Sequence, residues 1–404
     1  MKIAILGYGN IGSGVAEVLR RNHDYVAKKA GCEIQVKYVL DLREFPGDPL
    51  EDRVVHDIHA ITEDPEVGIV VETMGGVHPA YEFVRECLEK GKSVSTSNKE
   101  LVAEYGAQLM ELAEQRGCNF MFEASVGGGI PIIRPLNQSV TSDEIYEITG
   151  ILNGTTNYML TQMAENGAAL EEVLKKAQEL GYAERNPEAD IQGKDACRKI
   201  AILSSLAFGA KVEAEDIHTE GITSISHTDM EYAAALGMAI KLFGTCRMDE
   251  GRRVFAMVCP VLVEKSHPLY HVDGVMNGIL VRGEVMGDLM FYGAGAGKLP
   301  TASAVVADVI DEACNMDRSI MRRWTKEKLE LEEFGACRNR FFVRMAGNTE
   351  ENKKRAQQLF PVSRLVELPG RDEFGFLTEE MEEAVFDCRA REAGGVQNRI
   401  RLAR

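Results

Sequence analysis

A glycine-rich turn between a short apolar strand and a helix constrains the fold more than any other part of the sequence. Residues 2–6 read KIAIL, a continuous apolar run typical of a buried parallel strand, and residues 7–12 read GYGNIG. The pattern G-x-G-x-x-G is weak by itself, but here it follows a strand and opens a helix, as a dinucleotide-binding turn requires. A glycine turn with a purely structural role is the alternative.

The three glycines have separate tasks in such a site. Gly7 permits the tight turn, Gly9 lets the backbone approach a pyrophosphate, and Gly12 lets the helix pack closely on the strand. The helix N-terminus offers N–H groups and a positive partial charge to the phosphates. We therefore predict that the turn, including Asn10 and Ile11, binds a dinucleotide cofactor.

Apolar runs alternate with helical segments over residues 2–125, which predicts a doubly wound parallel sheet of the Rossmann type. The further strands are predicted at 33–40, 68–73, 92–98 and 119–125. The helices between them are predicted at 11–29, 77–90 and 99–116.

The pattern changes near residue 131, where a short helix, PIIRPLNQSV, leads into an α+β region. Its strands are predicted at 144–152, 239–247, 254–264 and 278–286. Its helices are predicted at 154–166, 170–180, 193–208 and 228–236. An apolar helix at 301–316 is expected to return and pack on the first domain.

Beyond a charged linker at 325–335, strand-like runs flank a polar helix at 350–359 and predict a third, small α/β unit. Its strands are predicted at 340–345, 363–368 and 373–378. We expect three domains: 1–135, completed by a helix at 300–320; 136–299; and 338–404.

The composition narrows the class of function. The net charge is −17 and no basic block occurs, which argues against a nucleic-acid or anionic-membrane surface. The nine cysteines are odd in number and include no CxxC, which favours a reducing cytoplasm over a disulfide framework. No apolar run is long enough to cross a bilayer.

The second predicted strand ends in VLDLR, where cofactor preference is decided in such folds. Asp41 would hold a ribose 2′-hydroxyl, whereas Arg43 would accommodate a 2′-phosphate. Both residues are present, so both NAD and NADP remain open as cofactors.

The strand predicted at 68–73 runs into the loop ETMGG at the carboxyl edge of the sheet, where the nicotinamide half of a cofactor is expected. Thr73, Met74 and Gly75 are therefore predicted cofactor contacts. Glu72 has either a direct role or the ordinary role of a solvated acid at a strand end.

Two further signals follow predicted strands. Lys99, in STSNKE, is expected beside the bound ligand, or alternatively in solvent at a helix N-terminus. In EASVGGGIPII, three consecutive glycines expose backbone carbonyls, and with Glu123 these could coordinate a hard cation such as sodium. A flexible interdomain turn is the alternative for that stretch.

An opposite-charge pair begins the helix predicted at 193–208. Asp195 and Lys199 are four residues apart, as in a common helix-surface pair. Their helical column continues to Ile202 and Leu206, however, so it faces protein rather than water. A charge pair at the head of a buried stripe indicates a cleft.

Several ordered motifs together resemble homoserine dehydrogenase over roughly residues 1–325. They are GYGNIGSGV, TSNKELVA, EASVGGGIPIIRPL, GILNGTTNYML, GYAERNPEADIQGKDACRKIAIL and GAGAGKLPTASAVVADV. The resemblance implies reversible oxidation of L-homoserine to L-aspartate 4-semialdehyde with NAD(P)+, a step of threonine and methionine biosynthesis. It also implies a second domain that binds substrate and forms a homodimer or homotetramer through its sheet.

The same resemblance implies roles for individual residues. Asp195 and Lys199 would be the central catalytic pair, and Lys99 would reach the reacting oxygen; either lysine could transfer the proton. The implied substrate contacts are Glu184 and Asp190 for the ammonium, and Gly154, Thr155 and Thr156 for the carboxylate. The implied sodium ligands are Glu123, Val126, Gly128 and Ile130, three of them through backbone carbonyls. Gly297 would lie by the cofactor.

The C-terminal residues resemble an ACT regulatory module less closely. The glycine-containing turn that usually follows the first strand of that module is replaced by AGNTEEN at 346–352. This departure argues against amino-acid sensing at that site, and a structural or oligomerising role is at least as well supported.

Two rival functions remain at this point. An aspartate-semialdehyde dehydrogenase needs a thiolate to form an acyl-enzyme, and no cysteine occupies a recognisable site; Cys197 lies beside the acidic column. A non-catalytic dinucleotide sensor would keep the glycine turn but would have no use for Lys99, Asp195 and Lys199 together.

Overall fold

The computed structural model describes residues 1–404, and the chain divides into two compact units. Unit 1 comprises residues 1–144, 201–214 and 291–329, and unit 2 comprises residues 145–200, 215–290 and 330–404. No helix combines the length and the apolar character needed to span a bilayer. The sequence-based domain limits, 1–135 with 300–320, 136–299 and 338–404, stay predictions.

The helices and strands are numbered here in chain order. The strands are β1 (Lys2–Leu6), β2 (Gln35–Leu40), β3 (Val54–Val55), β4 (Val67–Glu72), β5 (Ser93–Thr96), β6 (Phe120–Met121), β7 (Ile145–Ile151), β8 (Ala210–Lys211), β9 (His218–Thr219), β10 (Met238–Met248), β11 (Val254–Glu264), β12 (Met276–Gly283), β13 (Gly287–Ala294), β14 (Thr325–Lys328), β15 (Arg338–Asn339), β16 (Phe341–Ala346), β17 (Val362–Val366), β18 (Glu373–Thr378), β19 (Met381–Glu382) and β20 (Val396–Leu402). The helices are α1 (Asn10–Arg21), α2 (His23–Ala30), α3 (His59–Thr62), α4 (Ala80–Glu89), α5 (Lys99–Arg116), α6 (Gly154–Asn166), α7 (Leu170–Glu179), α8 (Glu188–Ile191), α9 (Lys194–Phe208), α10 (His227–Leu236), α11 (Lys298–Cys314), α12 (Glu350–Leu359) and α13 (Glu383–Ala393).

Unit 1 contains the predicted parallel sheet. Its strand order is β3-β2-β1-β4-β5-β6, and every neighbouring pair is parallel. The order reverses between β1 and β4, and open α/β sheets bind their ligands at the carboxyl ends of the strands beside such a switch point. The glycine turn and the loop after β4 both lie there.

Helix α11 lies in unit 1. It packs against α1, because the absence of a side chain at Gly14 brings that helix close to Lys298 and Ala302. Val305 and Val309 of α11 are fully buried in the same apolar cluster as Val15 of α1. The contact fixes the first turn of α11 near the start of α1.

Unit 2 is built on a ten-stranded mixed sheet with the order β13-β12-β7-β10-β11-β20-β16-β18-β17, in which β9 also pairs with β11. Strands β10 and β11 pair antiparallel along their whole length. Strand β20 then joins β11 in parallel, with Val261 opposite Arg401 and Leu262 opposite Leu402. The C-terminal strands therefore continue this sheet.

Several predicted elements differ from the structure for local reasons. The helix predicted at 11–29 is interrupted at Asn22, whose backbone leaves the helical region. The strand predicted at 119–125 ends at Met121, because Glu123–Ser125 form a 3-10 turn. The charged segment at 325–335 begins with a short strand, β14, which pairs with β8. Strand β13 and the C-terminal pair α13 and β20 had not been predicted.

Candidate active site

The glycine turn of unit 1 has the geometry expected of a dinucleotide site. Gly7 has φ +85°, and a Cβ there would lie 2.9 Å from the Cα of Met74. A Cβ at Gly12 would lie only 2.1 Å from the carbonyl oxygen of Gly7, so no side chain fits. Gly9, at the N-cap of α1, has no atom within 4 Å of its Cβ position. The turn thus leaves open space beside its backbone, which fits a pyrophosphate at a helix N-terminus.

The structure brings the predicted cofactor segments together around this turn. The Thr73 hydroxyl donates to the carbonyl of Gly7 at 2.7 Å. The backbone N–H of Tyr8 donates to the Asp41 carboxylate at 2.8 Å. The loop after β4 and the end of β2 therefore both border the glycine turn, where Asn10 and Ile11 begin α1.

Asp41 and Arg43 form one ion pair rather than two separate determinants of cofactor preference. The Arg43 guanidinium donates Nε–H and Nη2–H to the two carboxylate oxygens of Asp41, each at 2.9 Å. These hydrogen bonds hold the pKa of Asp41 far below its usual range, although burial opposes them. Arg43 itself is largely exposed above the ring of Phe45. A ribose hydroxyl or a 2′-phosphate would therefore meet a preformed ion pair.

Glu72 is buried, so the solvated-acid interpretation is wrong. Its carboxylate accepts hydrogen bonds from the Met74 backbone N–H at 2.7 Å and from the Thr96 hydroxyl. Burial raises the pKa of Glu72, while these hydrogen bonds oppose the rise. One carboxylate thus ties the loop after β4 to the end of β5.

Lys99 is the first residue of α5 and is half-buried. The preceding residue, Asn98, caps the helix by accepting the N–H of Leu101 at 3.1 Å. The Asn98 amide also donates to the carbonyl of Gly76 at 2.6 Å. The start of α5 and the predicted nicotinamide loop are consequently held as one piece.

The two other glycine motifs of unit 1 interlock. The N–H of Gly129 donates to the carbonyl of Ala294 at 3.1 Å. A Cβ at Gly128 would lie 2.3 Å from the carbonyl oxygen of Gly295. Gly297, with φ +124°, is the N-cap of α11. The residues of GAGAG therefore pack on the triple glycine, a contact that the sequence pattern did not predict.

Glu123 is already occupied by backbone donors. Its carboxylate accepts the N–H groups of Ile132, Ile133 and Arg134 at 2.6, 2.9 and 2.7 Å. No backbone N–H donates to the carbonyl oxygens of three residues in this loop: Val126, Gly128 and Ile130. No cluster of three or more His, Cys, Asp or Glu side chains could hold a metal ion. A cation here would depend on backbone carbonyls.

Asp308 lies next to Glu123 in the interior of unit 1. Its carboxylate accepts the Glu123 N–H at 2.9 Å and the Arg134 guanidinium at 2.7 Å. Burial and the negative charge of Glu123 raise the pKa of Asp308 to about 8, against the opposing effect of Arg134. This carboxyl group is therefore partly protonated near neutral pH.

In unit 2, Asp195 and Lys199 form a buried pair. Asp195 is 4% exposed and Lys199 is 8% exposed, which rules out the helix-surface alternative. The Lys199 Nζ lies 2.9 Å from the Asp195 carboxylate and donates to the carbonyl of Leu152 at 2.7 Å. The ammonium is thus held by a carboxylate on its own helix and by the end of β7.

Asn153 connects this pair to the acidic loop, and the sequence analysis missed it. Its amide donates to Asp190 at 2.7 Å and to Asp195 at 2.9 Å. Its side-chain oxygen accepts the N–H of Thr156 at 2.8 Å and so caps α6. An asparagine directly before a helix is a strong N-cap signal, and that signal could have drawn attention to it.

The other predicted substrate residues differ in their contacts and burial. Thr156 is buried and turns its hydroxyl back toward Asn153, whereas the Thr155 hydroxyl donates to the carbonyl of Tyr182. Gly154 begins α6, where a Cβ would lie 2.7 Å from the carbonyl oxygen of Val275. Glu184 is exposed, and its backbone carbonyl accepts from Gln178; the structure does not bring its side chain to the pair.

Cys197, on the same helix, is not suited to covalent catalysis. It is buried, and burial raises the pKa of its thiol. A thiolate is therefore disfavoured, which argues against the acyl-enzyme chemistry of an aspartate-semialdehyde dehydrogenase.

Comparison with known proteins agrees with this geometry. Residues 7–123 match the family model described as homoserine dehydrogenase, NAD binding domain, and residues 131–310 match the model described as homoserine dehydrogenase. A homoserine dehydrogenase of Synechocystis sp. is 46% identical over 315 residues, covering 77% of this chain and 73% of that protein. The chain belongs to the homoserine dehydrogenase family.

Solved structures of homoserine dehydrogenases have the same fold. The crystal structure of a homoserine dehydrogenase from Thiobacillus denitrificans matches with a TM-score of 0.92 at 34% identity, covering 100% of this chain and 98% of that chain. A hyperthermophilic archaeal homoserine dehydrogenase in complex with NADPH matches with a TM-score of 0.67 at 26% identity, covering 78% and 99%. The resemblance inferred from sequence is confirmed: the chain is an NAD(P)-dependent oxidoreductase, and neither rival function is supported.

Proposed function

We propose that the chain oxidises L-homoserine to L-aspartate 4-semialdehyde with NAD(P)+ and catalyses the reverse reduction, within threonine and methionine biosynthesis. The observation that carries the assignment of residues is the buried Lys199, held between the carbonyl of Leu152 and the carboxylate of Asp195. Family membership supports the reaction itself.

The two hydrogen-bond acceptors around Lys199 determine which side of its amine group is left to accept a proton from the substrate. Lys199 can act as a base only after its ammonium has lost a proton, and the resulting neutral amine has two N–H donors and one lone pair. Because the Leu152 carbonyl and the Asp195 carboxylate both require donors, they take the two N–H groups and leave the lone pair for the substrate. We infer that Lys199 accepts the hydroxyl proton of homoserine and returns it in the reduction.

NAD(P)+, when bound, accepts the hydride from the carbinol carbon; that chemistry belongs to the cofactor. Gly7, Gly9 and Gly12 would hold its pyrophosphate at the start of α1, and Thr73, Met74 and Gly75 would border its nicotinamide. Lys99 would orient the reacting oxygen, or act as the proton-transfer group if Lys199 does not.

The acidic groups near the pair suit an amino-acid substrate. Asp190, already hydrogen-bonded to Asn153, would accept the homoserine ammonium, and the exposed Glu184 would add negative charge from the loop. The substrate carboxylate would lie at the N-terminus of α6, near Gly154, Thr155 and Thr156, where the helix dipole favours an anion.

A sodium ion is proposed at the loop 123–130, where it would order the backbone between the two glycine motifs. The carbonyls of Val126, Gly128 and Ile130, which accept no backbone N–H, support this site. Glu123 would join these carbonyls as a ligand only through carboxylate lone pairs that do not already accept the N–H groups of Ile132, Ile133 and Arg134.

The C-terminal residues are proposed to form an ACT-like module. Their order is β16-α12-β17-β18-α13-β20, a β-α-β-β-α-β arrangement, and their sheet order β20-β16-β18-β17 supports a ferredoxin-like unit. Amino-acid sensing and oligomerisation both remain open as its role. A homodimer or homotetramer formed through the unit 2 sheet, acting in the cytoplasm, is proposed from the resemblance.

Steady-state kinetics of Lys199→Met test the assignment of the base. We expect kcat for homoserine oxidation to fall by about 10²–10⁴-fold, the usual contribution of a general base, with the Kd for NADPH unchanged. Lys194→Met is the matched control, because Lys194 is exposed on the same helix. Unchanged turnover in Lys199→Met would remove this residue from the mechanism and transfer the role to Lys99.

A further inference from the structure

A buried arginine near the C-terminal end of the chain pairs with a glutamate in the segment that follows β9. Arg401, on β20, is 1% exposed. Its Nη1 and Nη2 donate to the two carboxylate oxygens of Glu220, each at 2.8 Å, and its Nε donates to Glu383 at 2.6 Å. The fork of the guanidinium matches a carboxylate in a way that a lysine cannot reproduce.

Glu220 holds the segment that follows β9. Its backbone N–H donates to the carbonyl of Val258 on β11 at 2.7 Å. Burial alone would raise the pKa of Glu220, but the hydrogen bonds from His218 and Arg401 outweigh burial and lower it. The carboxylate is therefore charged at neutral pH and remains attached to Arg401.

The next residues of this segment contact the end of α8 directly. A Cβ at Gly221 would lie 2.0 Å from the carbonyl oxygen of Ile191, so the two backbones touch. The N–H of Ile222 donates to the same carbonyl at 2.9 Å. Gly193, two residues after Ile191, also lies against this segment. A Cβ at Gly193 would lie 3.2 Å from the methyl carbon of Thr219.

The turn that rests on this segment carries the acidic groups of the proposed substrate site. Asp190 precedes Ile191, and Asp195 follows Gly193 at the start of α9. Both carboxylates accept hydrogen bonds from the single amide group of Asn153. A shift of the turn by about 1 Å would break that shared geometry, and misplacement on this scale costs on the order of 10²-fold in rate.

We propose that Arg401 is a positioning residue for homoserine binding and oxidation: through Glu220 it fixes residues 219–222 against the turn at 190–195, and thereby fixes Asp190 and the Asp195–Lys199 pair. The inference rests on the proposed function. It gives the C-terminal module a part in the substrate site that requires no bound effector.

The test compares two arginines of the same sheet, each paired with two carboxylates, in the whole chain. Arg401→Met should lower kcat/KM for homoserine at least tenfold, and Arg401→Lys should recover only part of that loss. Arg344→Met is the control, because Arg344 is 11% exposed on β16 and pairs with two carboxylates, Asp229 on α10 and Glu373 on β18. The control should keep kcat/KM within twofold despite a comparable loss of thermal stability.

Glu220→Gln carries the test if Arg401→Met does not fold, because it keeps the pairing of Arg401 with Glu383. It should raise KM for homoserine or lower kcat severalfold, with the Kd for NADPH within twofold of wild type. Full kcat/KM in folded Arg401 and Glu220 variants, or an equal loss in Arg344→Met, would overturn the proposal. A wild-type enzyme that binds NADPH but does not oxidise homoserine would instead refute the proposed function.

Discussion

Alanine at Gly9 and alanine at Gly12 should damage different properties of the enzyme, although the two glycines lie in the same turn. At Gly12, a Cβ would lie 2.1 Å from the Gly7 carbonyl oxygen and 2.9 Å from the Thr73 hydroxyl. At Gly9, φ is −80° and no atom lies within 4 Å of the Cβ position. Neighbouring protein atoms leave no room for a side chain at Gly12, whereas a methyl group at Gly9 would contact no protein atom.

The magnitudes follow from these contacts. Alanine in place of glycine inside a helix normally stabilises by about 0.5–1 kcal/mol. At Gly12, forcing the backbone of residue 7 away should cost about 2–3 kcal/mol, so a net destabilisation of about 1–2.5 kcal/mol remains and lowers Tm by roughly 2–10 °C. At Gly9 the apo protein should change by less than about 0.5 kcal/mol. The methyl group would instead occupy the approach of the pyrophosphate and raise the Kd for NADPH at least about tenfold, or about 1.4 kcal/mol.

Differential scanning calorimetry of the apo variants and fluorescence titration with NADPH measure the two effects separately. Gly9→Ala should match the wild-type Tm and bind NADPH weakly, whereas Gly12→Ala should melt early. A Gly9→Ala enzyme with wild-type affinity for NADPH would show that the pyrophosphate does not approach this backbone. A Gly12→Ala enzyme with unchanged Tm would show that the close packing of turn and helix is not what stabilises unit 1.

Three further variants test other groups. Arg43→Ala should lower kcat/KM for NADP+ by about 10–100-fold, the value of a charge-assisted hydrogen bond, and leave NAD+ nearly unaffected because Asp41 stays available to the ribose; equal losses with both cofactors would contradict this. Glu72→Gln should lower kcat about tenfold with little change in Tm, since Met74 and Thr96 donate to different carboxylate oxygens and one of these becomes an NH2 group that cannot accept; wild-type turnover would show that the loop keeps its shape without the carboxylate. For Asp308, whose folded pKa of about 8 exceeds its unfolded value, the stability contribution is complete below pH 4 and is lost as pH rises through 8. Asp308→Asn should therefore flatten the decline in unfolding free energy between pH 4 and pH 8, and urea titrations that show an unchanged slope would refute that origin.

Local signals were sufficient to predict several elements to the residue. Helices α5, α6 and α12 begin directly after Asn98, Asn153 and Thr349, whose side chains accept backbone N–H groups of the first turn. Helices α5 and α6 end before glycines in the left-handed conformation. Caps of this kind are properties of a few adjacent residues, so the sequence alone reveals them.

Contacts between distant segments could not be predicted in this way. The sequence placed Asp195 and Lys199 in a cleft, but it gave no sign that Asn153 joins Asp195 to Asp190. Glu123 was a plausible cation ligand by residue type, yet its carboxylate caps the backbone nine to eleven positions later. Arg401 was overlooked because arginine is ordinarily exposed, and only the folded chain brings Glu220 and Glu383 together around it and so permits its burial.

The parallel junction between β11 and β20 has a consequence for shortened forms of this enzyme. At Val261 and Leu262, the outer edge of β11 is covered only because the last strand of the chain lies beside it. A protein ending before β16 would expose a row of unpaired backbone N–H and C=O groups there. Exposed strand edges of this kind pair with extended segments of other molecules. Truncation of the C-terminal strands would thus turn an interior strand of the sheet into an exposed edge strand. We expect self-association to be the first observable effect.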